Sequence, residues 1–278
     1  MKIRREKEFI SMFDEYTGRY LRTGILKDGV ETGEDFKEIA RQCKGQTYQF
    51  ALGGCGDPDQ HENFIDILKV CREYEIVPNF TTSGFGMTKE TAQLCKEYCG
   101  VVAVSWYRNE YTVRAIHLLL ESGVKTNIHY VLQKSSISEA LENLKNSRFP
   151  KGINAVVFLL HKPVGLGEHE QMVARDNKDF WEFIEYIGNE EVPYKIGFDL
   201  CTVPALVHHP GNIDRNSLDT CEGARWSVDL RKYTIKEAWE SEAFHSFQNH
   251  LKSVCAGCEK RSLCMIRMPE VTLERILM

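Results

Sequence analysis
Tyr48-Gln49-Phe50-Ala51-Leu52-Gly53-Gly54-Cys55-Gly56-Asp57-Pro58 is a short apolar run that stops in three glycines. The run has the length of a β-strand, and the glycines expose backbone N–H and C=O groups to anything that approaches closely. A glycine-rich turn serving only the chain reversal would look the same, so this stretch by itself leaves both readings open. Further runs of the same kind follow at Val77–Thr82, Val101–Trp106, Thr126–Leu132, Ala155–Leu160 and Lys195–Asp199. Between them lie the helical patterns Glu62–Tyr74, Lys89–Cys99, Glu110–Ser122, Ser138–Asn146 and Asp179–Gly188. The repeat of roughly 25 residues is that of successive βα units. The links are too long for hairpins, and the near-continuous apolar runs are those of strands covered by helices on both faces, so a parallel sheet is expected. Thr88 and Ser138 are expected N-caps, and Gly100 and Gly123 are expected to close their helices.

The 278 residues, 42% hydrophobic and 27% charged, suffice for one full-sized core or one core with a small appendage. A formal charge of -5 gives no general attraction for phosphate backbones, and nucleic acid is not expected as a partner. No run approaches the length of a membrane span, and no apolar segment follows the basic N-terminus, so a soluble, cytoplasmic chain without membrane contact is expected. In that setting the ten cysteines are expected as reduced thiols or metal ligands. Cys43, Cys71, Cys95 and Cys99 fall in helical patterns and read as small buried hydrophobes. Cys55, Cys201, Cys221, Cys255, Cys258 and Cys264 fall in loops. The βα alternation stops after Asp199, which divides the chain into an N-terminal segment 1–34, a βα core 35–210 and an extension 211–278. The extension offers one amphipathic helix, Ile235–Leu251, ahead of the last three cysteines.

In a parallel α/β barrel the ligand site lies at the C-terminal ends of the strands. The residues there are strongly polar or small: the glycine loop, Thr81-Thr82-Ser83-Gly84, Ser105-Trp106-Tyr107-Arg108, Asn127 and His129 within the fourth run, and His161-Lys162-Pro163. Polar groups converging from five strand ends favour a pocket. Cys55 near His129 or His161 could mimic a nucleophile and its base, but an ordinary loop cysteine is the simpler account. Asp57, His61 and Glu62 could be imagined as a metal set, for which an acidic helix start is the simpler account.

On these residues the chain resembles the radical S-adenosylmethionine (AdoMet) enzymes. Gly53-Gly54-Cys55-Gly56-Asp57-Pro58 and Pro78-Asn79-Phe80-Thr81-Thr82-Ser83-Gly84 look like that family's second and third strand ends. There a Gly-Gly-Glu-Pro type motif holds the AdoMet amino group and a Thr-Thr-Asn-Gly type turn follows. Cys221-x-Gly223, Trp239 and Cys255-x2-Cys258-x5-Cys264 look like the SPASM extension of peptide-modifying members. The resemblance implies a partial (β/α) TIM-like barrel with a small SPASM-like extension. It implies AdoMet held around Gly53, Gly54, Cys55, Asp57, Ser83, Ser105 and Asn127. It also implies an auxiliary iron–sulfur cluster at Cys221, Cys255, Cys258 and Cys264, and a ribosomally made precursor peptide as partner. Zinc is the alternative at Cys255, Cys258 and Cys264, with Cys221, Cys201 or His250 as the fourth ligand. The family's Cys-x3-Cys-x2-Cys loop has no counterpart, since the first cysteine is Cys43 and Thr32-Gly33-Glu34-Asp35 reads as a helix start. The family's first strand is therefore expected to be absent, which exposes the edge at Tyr48–Leu52 unless residues 1–31 cover it. Two other readings stand beside the enzyme lineage: a non-catalytic peptide-binding pseudoenzyme, and a zinc-binding or redox-responsive α/β protein.

Overall fold
A computed structural model describes residues 32–53, 56–162, 168–174, 176–199, 201–202, 205–206 and 233–241. Helices and strands alternate along them: α1 Thr32–Cys43, β1 Gln49–Leu52, α2 Phe64–Glu73, β2 Val77–Thr82, α3 Lys89–Tyr98, β3 Val102–Ser105 and α4 Glu110–Glu121. There follow β4 Thr126–Leu132, α5 Ile137–Lys145, β5 Ala155–Leu160, α6 Lys178–Asn189, β6 Ile196–Phe198 and the short α7 Ile235–Trp239. The six strands form one sheet in sequence order. Every recorded pairing is parallel, as the long crossovers require. Among the described residues no helix is long and apolar enough to cross a membrane.

The described residues fall into two compact units, the first within Met1–His129, Pro150–Ala155 and Gly223–Asn249, the second within Tyr130–Phe149, Val156–Glu222 and His250–Met278. In the first, Leu52 pairs with Phe80, Phe80 with Val102 and Val102 with Thr126. Paired residues of parallel strands point to the same face, so these four share one side of the sheet. Helices cover that side: Phe36 of α1 meets Phe50 edge-on with ring centroids 6.0 Å apart, and Phe64 of α2 meets Phe80 at 5.0 Å. Burying each such ring is worth roughly 1.5–3 kcal/mol. The opposite face differs from the sequence expectation. Asn79, Thr81, Asn127 and His129 are only half-buried while their neighbours along the strand are buried. Among the described residues α1 and α2 pack against the Leu52–Phe80 face, while on the other face Ala51 is exposed, Val77 half-buried and Ala103 buried.

Local signals explain most element ends. Thr88 caps α3 by accepting from Thr91 N–H at 3.1 Å, and Asn109 caps α4 through Thr112 N–H at 2.9 Å. Gly123 follows α4 at φ +74°, the left-handed conformation that ends a helix. Gly100 closes α3 for another reason: it has no positive φ, but a Cβ there would lie 2.6 Å from Val77 Cγ1 and 2.8 Å from Asn79 Oδ1. Ser138 is not an N-cap. The helix begins at Ile137 after Ser136, and the Ser138 hydroxyl donates instead to Asp179 Oδ2 at 2.9 Å, a partner on α6 that no local pattern announces. Ahead of α7, Thr234 and Glu237 form a reciprocal capping box, and Ile235 N–H donates to Gln42 of α1 at 2.9 Å. The helix ends at Trp239, with Glu240 in a turn and Ser241 in a bend, short of the expected Leu251; residues 242–251 lie outside the described residues. So do residues 1–31, the expected cover for β1.

In the second unit Val156, Val157 and Phe158 of β5 pair with Ile196, Gly197 and Phe198 of β6. Its core is aromatic. Phe158 touches the rings of Tyr130, Phe183 and Phe198 at 5.6, 4.9 and 6.0 Å. The buried Tyr130 hydroxyl donates to Ser136 C=O at 2.9 Å, which removes the cost of an unpaired phenol.

Candidate functional site
In the first unit the C-terminal ends of β1 and β2 are tied together through one carboxylate. Asp57 Oδ1 accepts from Ser83 N–H at 2.7 Å, and the Ser83 hydroxyl donates to Asp57 Oδ2. The same hydroxyl accepts from Phe85 N–H at 3.1 Å. A second tie runs alongside, from Gln60 Nε2 to Phe85 C=O at 2.9 Å. The 3₁₀ turn Pro58–Gln60 is thus clamped to the turn after β2. Two of the expected site residues, Asp57 and Ser83, are together and hold each other.

Gly53 and Gly56 flank this clamp. Neither takes a positive φ, and a Cβ built on either meets nothing within 4 Å. Among the described residues, neither backbone geometry nor packing requires these glycines, and open space lies beside each. Gly54 and Cys55 lie outside the described residues.

The polar face of β2–β4 leads up to the same strand ends. Ala103 pairs with Asn127, and Ser105 with His129. Asn127 Oδ1 accepts from Asn154 Nδ2 at 2.7 Å, and His129 Nδ1 lies 3.5 Å from the Thr81 hydroxyl. Burial of the ring pushes His129 down to about 4, so the imidazole is neutral at pH 7. Beside the clamp sits a carboxylate that the sequence reading did not single out. Both oxygens of Asp59 are sealed from solvent without a hydrogen bond of good geometry. Burial pushes its carboxyl up to about 6; the Thr82 hydroxyl offsets part of that rise and the Asp57 carboxylate adds to it. No local pattern could have found it, because Asp59 is buried only by the 3₁₀ turn folding onto β2.

The second unit has its own polar strand ends. Lys162, after β5, places Nζ 3.5 Å from Asp199 Oδ2, after β6, and Thr202 Oγ1 donates to Asp199 Oδ1 at 2.9 Å. Burial raises the Asp199 carboxyl, with Lys162 opposing the rise. His161 Nδ1 lies 3.3 Å from Gln133 Nε2. The signal for this pair was present in the sequence as two polar residues directly after consecutive strands.

Among the described residues no three His, Cys, Asp or Glu side chains gather as metal ligands. Cys43, Cys71 and Cys95 are buried in α1, α2 and α3. Burial pushes Cys43 up to about 11 and Cys71 to about 12, so both are thiols and neither suits an iron–sulfur cluster, which is held by thiolates. Cys221, Cys255, Cys258 and Cys264 lie outside the described residues.

No protein-family profile matches the chain, and no curated protein matches its sequence. Solved structures do. The chain superposes on anSMEcpe with bound AdoMet at TM-score 0.55 and 14% identity, over 83% of this chain and 78% of that one. Streptococcus suis SuiB bound to AdoMet gives 0.56 at 15% identity, over 84% and 65%, and SuiB bound to its precursor peptide SuiA gives 0.54 at 15%, over 84% and 64%. The fold is the partial barrel of the radical AdoMet enzymes. At this identity the likeness fixes the radical AdoMet half-barrel and its strand order. Which side chains act on a ligand has to come from the geometry above.

Proposed function
We propose that this radical AdoMet half-barrel binds AdoMet at the strand ends of its first unit and works on, or presents, a peptide. The observation that carries the reading is the pair of glycines at the end of β1, open on one side and required by neither φ nor packing. They leave the loop backbone approachable, which is how a glycine loop meets the polar end of a small ligand. Gly53, Gly54 and Cys55 supply backbone groups to the AdoMet amine. Asp57 and Ser83 fix that loop through their mutual hydrogen bonds, and Ser105 and Asn127 line the approach from β3 and β4. The peptide partner is supported by neighbours of the same fold, SuiB bound to the precursor peptide SuiA and anSMEcpe bound to AdoMet and the Cp18Cys peptide.

The buried cysteines of α1–α3 do not fit the AdoMet-cleaving cluster, and no step is drawn through it. That misfit favours the non-catalytic peptide-binding variant of the reading. Cys221, Cys255, Cys258 and Cys264 are assigned to an auxiliary metal, iron–sulfur or zinc, which would stabilise the extension by linkage to folding.

The test is thermal unfolding of the anaerobically purified chain against increasing AdoMet. Ligand at roughly 100 times its dissociation constant stabilises a fold by about 2.7 kcal/mol, so Tm should rise by several degrees. Gly53→Ala should leave the ligand-free Tm unchanged, because a Cβ there meets nothing within 4 Å, and should weaken the shift. No shift with the wild type, or an equal shift with the variant, rejects the site.

A further inference from the structure
Asp59 sits in the middle of the 3₁₀ turn Pro58–Gln60, and that turn is fastened on both sides of it. Ahead of it Asp57 holds Ser83, and behind it Gln60 Nε2 donates to Phe85 C=O at 2.9 Å. Gln60 is also pressed against Gly86, where a Cβ would lie 3.0 Å from Gln60 Nε2. Asp59 as a residue is half-buried, yet both of its carboxylate oxygens are sealed from solvent and neither has a hydrogen bond of good geometry. The groups that face it give an anion no counterpart. They are the Asp57 carboxylate and the Gln60 amide of its own turn, the Thr82 hydroxyl of β2 and the buried Cys95 thiol of α3. None of these is a cation, and the Thr82 hydroxyl already accepts from Gly84 N–H at 2.9 Å. A charge on Asp59 is therefore uncompensated in the closed turn, whereas the neutral acid is tolerated there.

We propose that Asp59 is a pH-sensitive latch: with its carboxyl protonated the 3₁₀ turn stays folded onto β2, and its ionisation lifts the turn and undoes the Asp57–Ser83 clamp. The inference rests on the AdoMet reading above for what the clamped strand ends hold, and adds the regulation of that site, which is fixed in acid and released as pH rises. The direction follows from linkage. Burial raises the carboxyl from 3.8 to about 6 in the closed turn, and an open turn returns it to solvent and to its ordinary value. Between those two values the open form gains on the closed one, and above about pH 6 the gain levels off. From pH 5 to pH 7 the opening equilibrium should rise roughly tenfold. Burial holds His129 down at about 4, so it stays neutral over that range, and a hydrogen bond with Cys99 together with burial pushes Cys95 up, so it stays a thiol. His61, two residues on, is engaged with the start of α2, its Nδ1 accepting from Asn63 N–H at 3.1 Å.

The experiment is amide hydrogen exchange on the ligand-free full chain, followed by NMR at pH 5, 6 and 7 and expressed as protection factors, which divide out the intrinsic pH dependence of exchange. The reporters are the amides of Ser83 and Phe85, whose acceptors are Asp57 and the Ser83 hydroxyl. Their protection should fall roughly tenfold from pH 5 to pH 7. The opening should be local, with less protection than the α4 amides and little sensitivity to dilute urea. Asp59→Asn should hold at pH 7 the protection it has at pH 5, and His61→Gln should keep the wild-type dependence. Carbon-13 titration of the wild-type Asp59 carboxyl, which needs no variant, should give a midpoint of about 6. Protection independent of pH, exchange only through global unfolding, the same dependence in Asp59→Asn, its loss in His61→Gln, or a midpoint in the ordinary carboxylate range overturns the latch. AdoMet added at pH 7 should raise the protection of Ser83, since a ligand of the closed form favours it. No effect of AdoMet with the pH dependence intact rejects the AdoMet site and leaves the latch standing; raised protection without any pH dependence does the reverse.

Discussion

Asp57 joins two loops with a single side chain, and its removal should be felt as a structural loss before any functional one. Asp57→Ala strands Ser83 N–H and hydroxyl without their acceptor, which costs about 1–3 kcal/mol. Tm should fall by several degrees, and Asp57→Asn, which keeps one acceptor, should lie between; an unchanged Tm in both would show that the clamp is idle. Asp59 and His129 make a second prediction because their signs oppose. Asp59 is raised from 3.8 to about 6, so the folded state holds more protons than the unfolded one across that window, and this stabilising contribution is lost as pH rises through it. His129 is lowered from 6.5 to about 4, so the unfolded state holds more protons, and stability is lost as pH falls through nearly the same window. The two offset each other in the wild type. Asp59→Asn removes one side of the balance and should gain on the order of 3 kcal/mol more than the wild type between about pH 4 and about pH 7. Urea unfolding at both ends of the range measures this, and parallel pH profiles for the two proteins would contradict it.

At the scale of elements, the helix-to-strand joints depend on small residues for different reasons. Gly100 sits where β2 passes closest, so Gly100→Ala forces Val77 or Asn79 to move and breaks the Asn79 contact that accepts Val101 N–H at 2.8 Å. A loss of about 1–3 kcal/mol is expected, measured as a shift in the urea midpoint with an unchanged slope. Gly100 was legible as a helix end, but the close approach behind it was not, because Val77 and Asn79 are more than twenty residues away in sequence. The strands themselves were legible almost to the residue: Val77–Thr82, Thr126–Leu132 and Ala155–Leu160 appear as read. Their burial follows the apolar pattern in part: Val102, Ala103 and Val104 are buried on both faces, while Val77–Thr82 alternates half-buried and buried.

For the whole molecule, the prediction concerns the four loop cysteines of the extension. If they share one metal, Cys258→Ser should lower both the metal content of the anaerobically purified protein and its Tm, since binding energy at such a site is folding energy. Iron and sulfide in equal amounts would identify a cluster, zinc without sulfide a structural site, and an unchanged metal content and Tm would reject the assignment. The polypeptide on its own, incubated with dithionite and AdoMet, should yield no 5′-deoxyadenosine above a control with Cys255, Cys258 and Cys264 changed to Ala. Mass spectrometry gives that answer directly, and product above the control would mark the chain as an active radical enzyme.

What the sequence determined by itself was the alternation of apolar runs and helical periods, the parallel sense that their long links impose, and the polar or small character of every strand end. These are local properties, set by period, length and turn chemistry. Only the tertiary structure decided that Asn79, Thr81, Asn127 and His129 share one half-buried polar face, that Asp57 is spent on Ser83, that Asp59 is buried, and that Lys162 meets Asp199. Each of those depends on which atoms two distant loops bring into contact, and a hydrogen bond across twenty-six residues between Asp57 and Ser83 leaves no trace in the periodicity of either loop.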